Sequence, residues 1–271
     1  MVGYIFSSEE DAKILMLHGN GQSQDFFERK TQFLQDAIHE MLLDQRSENT
    51  SSSELRNVQF VYPSGILPAN PDHSFDEEPG SMRSWGYGDP RYDQIVGIER
   101  AVHHVLAVME TQGPFVGIVG FSSGSAVAAI VTSLLEKRKS ICGFRLNSTH
   151  PRLKFAAFFS GFQLEHPRYR SIYSTQIETP TLHVIGTLDA MILPSQSLRL
   201  VASCDRPEEF HFFGAHYVPR SKALIETFKA FVKGHLIDDD TDAEDNWEDF
   251  DDLPNSCITV LTKTMDCAHW V

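Results

Sequence analysis

Residues 117–127 read GIVGFSSGSAV, and the fold turns on how Ser122 is taken. A Gly-x-Ser-x-Gly pentapeptide arises by chance in many chains, because glycine and serine are common and glycine allows any tight turn. Context separates the readings. The run FVGIV at 115–119 has the composition of a buried strand, and the small residues Gly124, Ser125, Ala126 and Ala128 open a helical stretch that reaches residue 137. Strand, sharp turn and helix form the setting in which a serine stands on a strained elbow, its hydroxyl clear of the sheet. The helix N-terminus also favours negative charge developing there. The alternative is a glycine-spaced turn joining two buried elements, with no chemistry.

Five further apolar runs surround this one: 13–17 (KILML), 58–62 (VQFVY), 155–159 (FAAFF), 181–185 (TLHVI) and 209–213 (EFHFF). Most are continuous rather than alternating, as expected of strands covered on both faces of a parallel sheet. Helices are expected at 25–44, 92–110, 125–137, 195–202 and 222–236. The alternation predicts an α/β fold, a doubly wound sheet of about six mainly parallel strands with helices on both faces. Residues 45–57 (QRSENTSSSELRN) read as a polar surface loop. Residues 63–90 form a longer loop rich in proline and glycine, and long loops in compact domains often line or cover a site. One domain over 1–237 is expected, followed by an acidic extension at 238–271.

The net charge of −14 is concentrated: DDDTDAEDNWEDFDD at 238–252 holds ten acidic residues and no basic one, leaving about −4 elsewhere. Mutual repulsion predicts a solvated tail, with Trp247 and Phe250 available for docking on a partner or on the body. No basic stripe exists to neutralise phosphates, so no nucleic-acid partner is expected. Cys142, Cys204, Cys257 and Cys267 lack C-x-x-C spacing and a ligand-spaced histidine cluster, so neither a disulfide framework, a metal nor a cofactor is expected. The first residues, MVGYIFSSEEDAK, show no basic region followed by an apolar core, which points to a cytoplasmic location. The uncharged segment 115–135 is about as long as a membrane span, yet F-S-S-G-S at its centre splits it into strand-type and helix-type halves; no membrane partner is expected.

A serine hydroxyl is a weak nucleophile and needs a base, itself held by a carboxylate. In this kind of fold the chain order is Ser, Asp or Glu, then His, each just past the C-terminal end of a strand. TLHVIGTLDAMILP places Asp189 past the run 181–185, and EFHFFGAHYVPR places His216 past 209–213. Asp205 is the other candidate acid, but it precedes a strand. Among 12 histidines, His183 and His211 fall inside predicted strands and read as packed in the sheet. His103 and His104 precede the elbow, and His235 and His269 lie near or in the tail. His18 ends the first strand and reads as orienting a loop near the site. An oxyanion needs backbone N–H donors. Ser123 supplies one, and the loop LHGNGQSQ supplies the other from Asn20, with Gly21 as the alternative.

Together KILMLHGNGQS, RSWGYGDP, GPFVGIVGFSSGSAVA, FAAFFSGF, TPTLHVIGTLDAMI and FFGAHYVPR resemble the serine hydrolase (FSH) family of α/β-hydrolases, over about residues 13–232. The resemblance implies the α/β-hydrolase fold and places nucleophile, acid and base on Ser122, Asp189 and His216. Three positions depart from the family pattern. Ser123 stands where glutamine is frequent, Ala215 where a glycine precedes the histidine, and Gly86 where a second aromatic follows the tryptophan.

Members include general carboxylesterases and enzymes similar to those of fungal polyketide pathways, which free an acyl chain from its carrier or act as esterases on intermediates. The resemblance therefore implies a serine esterase or thioesterase working through an acyl-enzyme. Its substrate would be a small acyl ester or thioester, in the narrower case an acyl chain on the carrier protein of a polyketide synthase. Trp85, Phe121, Phe162, Met191 and Ile192 are either contacts for an apolar acyl chain or ordinary core residues. A catalytically silent scaffold that binds a ligand or partner is the competing class.

Overall fold

In the computed structural model of the chain, residues 12–48, 57–70 and 82–236 are described. The acidic run 238–252, Cys257, Cys267 and His269 lie outside them, as do most of the serine-rich loop and residues 71–81 of the longer loop. All six apolar runs are strands: β1 (Ala12–Leu17), β2 (Val58–Val61), β5 (Gly117–Phe121), β6 (Phe155–Phe159), β7 (Thr181–Gly186) and β8 (Pro207–Phe212). They form one sheet in the order β2-β1-β5-β6-β7-β8, and every pairing is parallel. This is the α/β-hydrolase arrangement. A further antiparallel pair, β3 (Leu67–Pro68) with β4 (Arg83–Ser84), lies within the long loop and went unread in the sequence.

The helices are α1 (Gln24–Glu48), α2 (Ile98–Gln112), α3 (Ser123–Lys137), α4 (Arg170–Tyr173), α5 (Pro194–Val201) and α6 (Lys222–Leu236). Successive residues of β1 part to opposite sides, as strand geometry requires. Leu15 and Leu17 join a core with Val102 and Val105 of α2 and Leu134 of α3. Ile14 and Met16 join another with Phe27 and Ile38 of α1 and Phe228 of α6. The sheet is thus covered on both faces, which is why its strands read as continuous apolar runs.

Several details differ from the sequence expectation. β5 extends to Phe121, because Gly120 and Phe121 still pair with Phe158 and Phe159. α2 begins at Ile98 rather than at 92, since Tyr87 and Val96 exchange N–H···O bonds of 3.0 and 2.8 Å that hold 87–96 as a closed loop. His211 does lie in a strand, but β8 is the sheet edge, so the ring is exposed and meets Glu209 at 2.7 Å instead of packing inside. Among the described residues no helix is long and apolar enough to cross a membrane.

Candidate active site

Because the strands are parallel, their C-terminal ends share one edge, and the candidate residues leave from it. Ser122 is the single residue between β5 and α3, and it adopts φ 54° and ψ −121°. Such a conformation costs an L-residue about 1–3 kcal/mol. Strand and helix meet so closely that only glycine fits on either side of the serine. A Cβ on Gly120 would lie 2.5 Å from Ser125 N, and one on Gly124 would lie 2.3 Å from Leu17 O. The pentapeptide's glycines therefore have a steric cause, and the Ser122 N–H is anchored to Phe159 O at 2.9 Å.

Asp189 follows β7 and His216 follows β8, and the loops that carry them are tied together. Thr187 N–H donates to Phe212 O and Leu188 N–H to Gly214 O, both at 2.9 Å. His216 Nδ1 lies 2.7 Å from Asp189 Oδ2, and its Nε2 lies 3.0 Å from Ser122 Oγ. A carboxylate only accepts, so Nδ1 carries the proton and Nε2 accepts from the serine hydroxyl. The ring is held from behind by Phe121, 4.8 Å between centroids.

Asp189 is only 3% exposed, and a buried carboxylate requires hydrogen bonds. Its Oδ1 accepts from the N–H groups of Met191 and Ile192 at 3.0 and 2.9 Å, and its Oδ2 from Ser160 Oγ at 2.9 Å besides His216. Asp205 is exposed at the opposite end of β8 and bonds Ile177 O through its own N–H. His183 is buried in β7, where desolvation pushes its pKa down to about 3.

The loop after β1 is fixed by His18, which is fully buried and pushed down to a pKa of about 4 by that burial. Neutral, it bonds Gly19 O through Nδ1 at 2.8 Å and accepts the Gly65 N–H at Nε2 at 2.9 Å. Trp85 Nε1 donates to His18 O at 2.7 Å. Two neighbouring donors are already engaged, Gly19 N–H with Gln22 Oε1 at 3.1 Å and Gly21 N–H with Arg83 O at 2.9 Å. Among the described residues the Asn20 N–H has no partner. Ser123 opens α3, and its N–H has no carbonyl one turn earlier to bond.

A cavity of about 330 Å³ opens at Ser122. Trp85, Phe162, Met191 and Ile192 line it, the first two and Ile192 also as members of the buried core, and so do Asn20 and Ser123. Phe121 does not: it belongs to the core behind His216, stacked toward Phe27. Tyr87, Ile95 and Leu164 also line it without having been anticipated, and among the described residues none of its lining side chains is charged. Two larger hollows, about 490 and 530 Å³, lie along α2 and contain none of the three candidate residues. Among the described residues no group of three or more His, Cys, Asp or Glu is placed to hold a metal ion.

Compared with known proteins, residues 7–228 match the family described as Serine hydrolase (FSH1). The Saccharomyces cerevisiae protein "Family of serine hydrolases 3" is 29% identical over 234 residues, covering 83% of this chain and 85% of that protein. An uncharacterized hydrolase of Schizosaccharomyces pombe is 26% identical over 242 residues, covering 83% of this chain and 51% of its own length. The chain thus spans about half the length of that relative. Among solved structures, Arabidopsis thaliana SOBER1 shares the fold at TM-score 0.55 and 22% identity, over 84% of this chain and 100% of that one. The chain belongs to the serine hydrolase family.

Proposed function

We propose that this serine hydrolase cleaves carboxylic esters or acyl thioesters through an acyl-enzyme on Ser122. The observation that carries the reading is the unbroken hydrogen-bonded series Asp189–His216–Ser122 at a cavity that also presents two N–H groups without partners among the described residues. Ser122 Oγ passes its proton to His216 Nε2 as it attacks the acyl carbon. Negative charge on the carbonyl oxygen is met by the N–H groups of Asn20 and Ser123. Asp189 keeps the His216 Nδ1–H in place and stabilises the imidazolium. His216 then protonates the departing alcohol oxygen or thiol sulfur, and a water deprotonated by His216 cleaves the acyl-enzyme to the free acid.

The cavity's volume is that of a small-molecule site, and its lining, uncharged among the described residues, suits an apolar acyl group in Trp85, Phe162 and Ile192. A carrier-bound or pathway-derived polyketide acyl chain, handled in the cytoplasm, is the narrower form of the proposal. It rests on the resemblance of the landmark segments and on that apolar lining. The hydrolase unit is assigned to residues 1–237, with 238–271 as an extension, in keeping with a family match that ends at 228.

Turnover of matched esters and thioesters, with uncharged and terminally carboxylated acyl groups, tests the reading. Hydrolysis of the uncharged series, lost in Ser122→Ala, is expected, with the carboxylated series at least ten-fold slower. Equal rates for both series would contradict the apolar acyl site. A thioester preference would favour carrier release, and an ester preference general carboxylesterase work.

A further inference from the structure

Ser160, the residue after β6, has a backbone φ of 46° and is 2% exposed. Glycine would take that conformation without strain, and Gly161 stands beside it. What serine adds is a hydroxyl, and that hydroxyl donates to Asp189 Oδ2 at 2.9 Å, the same oxygen that accepts from His216 Nδ1 at 2.7 Å. An ionised carboxylate offers about four lone-pair sites. The N–H groups of Met191 and Ile192 occupy Oδ1, and Ser160 and His216 occupy Oδ2. All of the acid's accepting capacity is used, and the donors come from three different strand ends.

We infer that Ser160 is a positioning residue of the reaction: its hydroxyl fixes the direction of the Oδ2 lone pair that the imidazole meets. This inference rests on the reading of Ser122, His216 and Asp189 given above. The amides of Met191 and Ile192 hold only the far oxygen, so without the hydroxyl the carboxylate can twist about the Oδ1 anchor. The His216 ring would follow that twist, and Nε2 would drift from Ser122. Binding of the acyl group would be untouched, because Ser160 is absent from the cavity lining.

The test compares Ser160→Gly and Ser160→Ala with wild type in three measurements: fluorophosphonate labelling of Ser122, ester steady-state kinetics, and the downfield proton NMR resonance of His216 Nδ1–H. Both variants lack the hydroxyl; alanine keeps the Cβ that serine already carries at φ 46°, whereas glycine also removes the strain of that conformation. The expected result is the same in both. Labelling and kcat fall about ten-fold, as for loss of one bond to a charged group, KM holds, and the resonance shifts. Wild-type labelling and an unmoved resonance in Ser160→Gly would overturn the inference, whatever Ser160→Ala does, by assigning Ser160 to the backbone turn alone. If wild type itself is not labelled at Ser122, the reading of the three residues fails first.

Discussion

Ser122 holds a strained conformation only because α3 and β5 leave it no other, so its side chain works against the stability of the fold. Ser122→Gly is expected to stabilise the protein by about 1 kcal/mol, read as a higher denaturant midpoint, while abolishing hydrolysis. An unchanged or lower midpoint would mean that the elbow stores no strain. Asp189→Asn leaves the two amide contacts to Oδ1 an oxygen to meet, so the fold should persist. The amide, however, can offer His216 a donor where an acceptor is needed. Turnover is expected to drop about 10⁴-fold, on the precedent of the trypsin triad aspartate. Activity close to wild type would detach Asp189 from the mechanism.

At the level of elements, the elbow succeeds because α3 lies almost against the loop that follows β1. Gly124→Ala would thrust a methyl to within 2.3 Å of Leu17 O and 2.4 Å of His18 O, neither of which can yield. It is expected to destabilise by about 1–3 kcal/mol and to slow hydrolysis as well, since His18 anchors the loop that bears Asn20. Loss of stability with full activity would contradict that link.

These same elements show what the sequence exposes. Ser122, Asp189 and His216 were legible because each stands within a few residues of the end of an apolar run, and a parallel sheet brings such positions to one edge. His18 was legible as the residue just past the first apolar run. Ser160 occupies the equivalent place after β6, but a lone serine gives no periodic or compositional signal. Phe121 stayed open between core and pocket because its aromatic character fits both equally, and only the reach of β5 decides between them. The antiparallel pair β3–β4 consists of two-residue strands, too short for any alternation to register.

For the whole molecule, burial sets the response to acid. His18, His104, His150 and His183 all have pKa values below the ordinary 6.5, desolvation being the first cause in each, with His18 near 4 and His183 near 3. Each holds a proton less readily in the folded chain than in the unfolded one, so unfolding takes up protons once the pH drops under about 6.5. The unfolded state then binds more protons, so stability is complete above about pH 6.5 and declines as the pH falls toward 4. Chemical denaturation at pH 7.5, 5.5 and 4.5 should show a falling midpoint, and a flat or rising one would contradict this. The parallel sheet has a second global consequence, gathering residues 122, 160, 189 and 216 at one rim although they are distant in sequence. The most direct measurement is to treat the protein with a fluorophosphonate and locate the adduct by mass spectrometry. A single adduct on Ser122, formed far faster than in His216→Ala and absent from Ser122→Ala, is the predicted result. No adduct, or one on another residue, would contradict the account.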